Sequence, residues 1–61
     1  MAYTWQSSDA NVVSNIRFKY KDRVKDYTDI CIAEAWQVFS QSEDYGDDDK
    51  FLEWLDIVSL D

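Results

Sequence analysis

Glu43-Asp44-Tyr45-Gly46-Asp47-Asp48-Asp49 places five carboxylates in one short stretch of chain. Carboxylate oxygens are the natural ligands of hard cations such as calcium. The stretch does not follow the twelve-residue calcium loop. With Gly46 at the sixth position, Gln41 falls first, Glu43 third and Leu52 last, where a bidentate Glu is required. It reads instead as a solvated loop whose Asp residues cap a following helix and complement its dipole. No metal site is predicted there. None is predicted for zinc either, because the chain has no His and only one Cys.

Other chemistry fares no better. Without His the commonest general base is missing. The Ser and Thr hydroxyls, Ser14, Thr28 and Ser40 among them, have no evident activator. A single Gly leaves no glycine-rich phosphate loop. Paired-carboxylate catalysis needs a concave site around a substrate, for which a small three-element domain has little room. The chain is therefore predicted not to be an enzyme, with no catalytic residues and no cofactor. Cys31 falls on an apolar helix face and reads as a small buried hydrophobe. A free buried thiol suits a reducing compartment, hence a cytoplasmic protein.

What remains is charge and aromatic bulk. The 61 residues carry 6 basic and 13 acidic side chains, a net charge of −7. Residues 43–61 hold eight of the acidic residues against Lys50 alone, so the whole excess lies in the last third. Arg17, Lys19, Lys21, Arg23 and Lys25 pack most of the positive charge into nine positions. A field of this kind attracts basic surfaces and repels nucleic acid. Three Trp, four Tyr and three Phe are more than so small a core should swallow whole, so some are expected at the surface. Tyr45 is the candidate aromatic anchor, since exposed Tyr and Trp dominate many interfaces. A Tyr45 folded back on the domain is the competing reading. Phe18 is the second candidate.

The elements that must position these residues are mainly helical. The chain has no Pro, and Gly46 is its one turn-forming glycine, too little punctuation for an all-β fold. Residues 29–41 read as a helix with Cys31, Ile32, Ala35, Trp36, Val38 and Phe39 on one broad face and Glu34, Gln37 and Gln41 opposite. Thr28 is its predicted cap, with Asp26 as competitor. Residues 49–59 read as a second helix with a Phe51, Trp54, Leu55, Val58 stripe, widened by Leu52. Trp36 and Leu55 sit near the middle of these faces and are predicted core residues. Joined by a loop of about seven residues, the two helices suit an antiparallel pair.

The first third reads two ways. With helical period, Val13, Ile16, Tyr20, Val24 and Tyr27 form a stripe that Ser8 can cap. With period two, Ile16, Phe18 and Tyr20 alternate with Arg17, Lys19 and Lys21, as in a strand. Local propensity favours the strand, and the helix sets Arg17 against Lys21, Lys19 against Arg23 and Lys21 against Lys25. Against the strand, only residues 2–6 can pair with it inside the chain, and a two-stranded ribbon is marginal. The expected fold is thus a mainly α single domain over residues 1–61, of two or three short helices. The alternative is an α+β domain with an N-terminal strand or hairpin at about 2–6 and 12–20 followed by two helices. No apolar run is long enough to span a membrane, and no signal-peptide pattern opens the chain.

In size and charge the chain resembles the small acidic proteins with which phages disable host machinery, inhibitors of uracil-DNA glycosylase, restriction enzymes, CRISPR effectors and RNA polymerase. The likeness is one of composition, with no diagnostic residues. It implies a viral or mobile-element inhibitor of a host nucleic-acid enzyme, with carboxylates standing in for DNA phosphates. The partner expected is a larger protein with a basic surface, and the residues expected to meet it are Asp44, Tyr45, Asp47, Asp48, Asp49, Glu53 and Asp56. Two alternatives stand beside this. One is a self-associating structural or regulatory subunit, such as a homodimer. The other, disfavoured by the net charge, is a nucleic-acid-binding module using residues 17–25.

Overall fold

The computed structural model describes residues 3–60. Three helices follow one another, α1 over Asp9–Tyr20, α2 over Asp29–Ser40 and α3 over Asp48–Ser59, with a short 3₁₀ turn over Lys21–Val24 after α1. The domain is mainly α, and residues 12–20 are helical. The strand alternative for this segment does not stand. Among the described residues no strand forms, and residues 3–6 have no regular secondary structure.

Two features that argued for the strand are resolved by where α1 stops. The helix buries Val13, Ile16 and Tyr20 and leaves Phe18, which a strand would have buried with Ile16 and Tyr20, 80% exposed. Ending at Tyr20 also takes Lys21, Arg23 and Lys25 out of the helix, so the like-charge pairs four residues apart never form. Arg17 turns instead toward the start of α2. Its guanidinium donates to the Asp29 carboxylate at 2.7 Å and to the backbone carbonyls of Tyr27 at 2.8 Å and Val24 at 3.3 Å. The 3₁₀ turn carries Val24 into the core, completing the stripe begun by Val13.

The stop itself is a strained residue. Lys21 adopts φ 51°, ψ −114°, while its N–H still bonds the Arg17 carbonyl. A side chain with a Cβ meets steric cost there, of order 1–3 kcal/mol. Glycine removes that cost but loses about 0.5–1 kcal/mol through the freedom of the unfolded chain. Lys21→Gly is therefore expected to stabilise the protein by about 1 kcal/mol, read as a raised urea midpoint. A lowered midpoint would show that the left-handed turn carries no strain.

The start of α1 differs from expectation. Ser8 is already in helical backbone geometry and its hydroxyl makes no capping bond. Asp9 does the work instead. It is buried at 8% exposure, and its carboxylate accepts the Gln6 N–H at 2.8 Å and the Tyr3 hydroxyl. The acidic side chain reaches back three residues to the Gln6 N–H, which lies ahead of the Ser8 cap position. It ties the N-terminal segment onto the helix.

In α2, Thr28 is the cap as expected, its hydroxyl accepting the Cys31 N–H at 3.2 Å. Ile32, Ala35 and Phe39 are buried as the helical wheel requires, but the arc is rotated. Ala33 is buried and Val38 is 38% exposed. The helix packs against α1 on one side and α3 on the other, so its covered arc extends to Ala33, where a methyl group permits close approach. In α3, Phe51 and Leu55 are fully buried, and Asp47 caps the helix by accepting the Asp49 N–H at 3.1 Å. Trp36 is only half-buried, because one side of its indole faces a surface cleft. Gly46 carries the connecting loop through φ +100°. A Cβ there would meet no neighbour, so glycine is needed for its backbone angle and not for space.

Candidate interaction surface

On α3 the residues Asp49, Glu53 and Asp56 recur at four- and three-residue spacing, which sets them on one face opposite buried Phe51 and Leu55. With a rise of 1.5 Å per residue, Asp49 and Asp56 stand about 10 Å apart along the helix. All three are exposed. Asp47 lies just ahead of them and is also exposed, with one oxygen used in capping. Glu53 meets Lys50 at 3.4 Å, a surface pair worth little. Among the described residues, Glu43, Asp47, Asp49 and Asp56 form no ion pair. These four carboxylates, with Glu53, are the outward-facing part of the acidic array.

Two of the residues expected in that array are tied into the fold, Asp44 from a half-buried position and Asp48 from an exposed one. Asp44 is half-buried and accepts the Trp54 indole N–H at 3.3 Å, which fixes the loop over α3. Asp48 accepts the Tyr20 hydroxyl at 2.9 Å and the Lys19 ammonium at 3.2 Å, clamping the end of α1 to the start of α3. The Tyr20 hydroxyl, and after it the Lys19 ammonium, hold the Asp48 carboxyl below the usual carboxylate range. Burial of Tyr20, reinforced by its bond to Asp48, pushes the phenol up to about 12.

Tyr45 is both folded back on the domain and exposed. Its ring folds back to 5.6 Å from Phe39 and 6.1 Å from Trp36, yet the residue remains 59% exposed. It is an aromatic lid-like wall whose outer side meets solvent. The packing is driven by the same aromatic cluster that fills the core, in which Phe51 lies 5.3 Å from Phe39 and 5.6 Å from Trp36.

The basic stretch is divided in the same way. Arg17 and Lys19 are occupied by Asp29 and Asp48. Lys21, Arg23 and Lys25 are exposed, and the Lys21 ammonium lies 5.9 Å from the centre of the exposed Phe18 ring. Cys31 is half-buried, its thiol directed at the Leu55 carbonyl at 3.9 Å. Burial raises its pKa, with Glu34 adding to the effect, the opposite of what a reactive thiolate requires.

The carboxylates fan outward from α3 and its loop. Among the described residues no group of three or more Asp, Glu, Cys or His comes together to hold a metal ion. Among the same residues no helix is long and apolar enough to cross a membrane. Comparison with protein-family models, with curated proteins and with solved structures gave no match. Asn15 and Lys19 of α1 and Trp36 of α2 line one surface cleft, and they carried no signal of a shared site in the sequence, because they come from two helices brought together only by packing.

Proposed function

We propose that this is a non-enzymatic interaction protein that docks its acidic C-terminal third onto a basic surface of a larger protein. The observation that supports the reading is the set of exposed carboxylates, Glu43, Asp47, Asp49 and Asp56, left without cationic partners around one end and one face of a helix that is otherwise anchored in the core. Beyond the cap that Asp47 supplies, this array of like charges does nothing to hold the fold, and it suits steering toward opposite charge. The sharper form of the reading is a phage or mobile-element inhibitor acting in the cytoplasm, where the array occupies a cationic groove built for nucleic acid. Asp44 and Asp48 then act as structural supports of the surface, and Asp47, Asp49, Glu53 and Asp56 as its contacts.

Retrieval of a bound protein from cell extract, identified by mass spectrometry, supplies the partner. Asp47→Asn, Asp49→Asn and Asp56→Asn combined are then expected to slow its association about tenfold or more at low salt, with the fold retained. Asn keeps the cap at position 47, so the change removes charge without deleting the helix start. Asp48 is left intact because it holds Tyr20 and Lys19. Unchanged association at both low and moderate salt would overturn electrostatic docking. Competition by DNA or RNA for the same partner would support the inhibitor form.

One observation favours a second reading. Phe18, Lys21, Arg23 and Lys25 make an exposed aromatic and basic patch, and the acidic face of another copy is its natural complement. That arrangement gives self-association that weakens as salt rises, and mass in solution at two salt concentrations detects it. The same patch is the only part of the described surface suited to nucleic acid, against the field of the whole chain.

A further inference from the structure

A cleft of about 400 Å³ opens between α1 and the loop leading into α3. Its apolar floor includes Ile16, its aromatic side is Trp36 and Tyr45, and its rim carries Asn15, Lys19 and Asp48. The volume lies in the range of small-ligand sites. Resting on the docking reading above, we propose that this cleft receives a single arginine side chain from the basic partner surface. The guanidinium sits against the exposed sides of Trp36 and Tyr45, with its charge toward the Asp48 carboxylate at the rim.

Three features select a cation. The Trp36 and Tyr45 rings stand 6.1 Å apart at 64° to one another and both line the cleft, Tyr45 exposed and Trp36 part-buried, and aromatic faces attract cations. The rim carboxylate, Asp48, lies between Asp47 and Asp49 in the most acidic part of the chain, which disfavours an anion. The rim carboxylate already accepts one cation beside an aromatic ring: the Lys19 ammonium lies 3.2 Å from the Asp48 carboxylate and 5.5 Å from the Tyr20 ring centre. Arginine rather than lysine follows from shape. Its planar guanidinium is weakly hydrated and stacks on rings, while an ammonium is a compact, strongly hydrated charge. Lys19 competes for the rim carboxylate from within the chain.

The probe is the capped tripeptide Gly-Arg-Gly, titrated into isotopically labelled protein and followed by NMR. Its control is the same peptide with citrulline, an uncharged analogue of arginine. Saturable shifts confined to Asn15, the Trp36 indole, Tyr45 and Gly46 are expected, with a dissociation constant of about 1–10 mM. Citrulline is expected to bind at least about fivefold more weakly. Tyr45→Leu, which keeps apolar packing and removes the ring, is expected to weaken arginine binding about threefold. Lys19→Gln is expected to strengthen it about two- to threefold through loss of the internal competitor. Lys25→Gln makes the same charge change away from the cleft and is expected to have less effect. Equal binding of citrulline, equal effects of the two lysine variants, or unsaturable shifts spread along the acidic face would each overturn the cleft proposal. None of these outcomes touches the docking reading, which stands or falls on the Asp47, Asp49 and Asp56 substitutions.

Discussion

Phe51→Ala is expected to leave much of the protein unfolded at room temperature. Phe51 is fully buried at the start of α3, with its ring 5.4 Å from Tyr20, 5.6 Å from Trp36 and 5.3 Å from Phe39. It is therefore the ring through which all three helices meet. Truncating a buried Phe costs about 3–5 kcal/mol, from lost burial and from the cavity left behind. A chain of this length has a total of only about 3–9 kcal/mol to lose. Leu55→Ala, one turn further along the same face, is expected to cost about 2–5 kcal/mol. Trp36→Ala should cost less than its size implies, because its indole is only half-buried. Urea unfolding followed by circular dichroism checks the order. A Phe51→Ala protein within about 1 kcal/mol of the parent would mean that the three helices do not share this ring.

Stability is also expected to collapse between pH 10 and pH 12, through tyrosine. Tyr20 and Tyr3 are both pushed up to about 12, each first by burial and then by a hydrogen bond to a carboxylate, Asp48 and Asp9 respectively. An unfolded tyrosine ionises near 10. Below pH 10 both states hold the proton and the contribution is fully present. Between 10 and 12 the unfolded chain releases it while folded Tyr20 does not, so stability falls as pH rises and the contribution is gone above 12. For Tyr20, which is almost wholly buried, the loss is of order 2–3 kcal/mol. Tyr20→Phe cannot ionise at this position. It should start less stable at neutral pH, lacking the bond to Asp48, and converge with the parent as pH approaches 12. Urea midpoints across this range for the two proteins are the measurement. Parallel curves would show that the Tyr20 proton is not linked to folding.

The same Tyr20–Asp48 pair explains why the acidic triplet cannot be treated as three equal surface charges. Asp47 caps, Asp48 clamps and only Asp49 is free of the fold. A charge-removing experiment on the whole triplet would mix stability with binding. Asp9, which in composition belongs to the neutral part of the chain, is likewise an anchor and not an idle surface charge.

Residues 29–60 were largely legible from the chain alone. The spacing of Ile32, Ala35 and Phe39, and of Phe51 and Leu55, together with Thr28 and the Asp run as caps, determines two amphipathic helices within a residue of where they lie, because helix period and capping are local properties. The distribution of charge was also written in the sequence. What the tertiary structure decided lies where two segments compete for one another. The segment around Ile16 satisfies both strand and helix patterns locally. The helix prevails because its stripe finds α2 and α3 to pack on, while a strand would have found no partner. The fates of Asp44, Asp48, Arg17 and Lys19 were settled by groups 10 to 29 residues away in the chain, which no local pattern encodes. For the same reason the cleft between Asn15, Trp36 and Tyr45 had no signature in the sequence, since its walls become neighbours only when the core has formed.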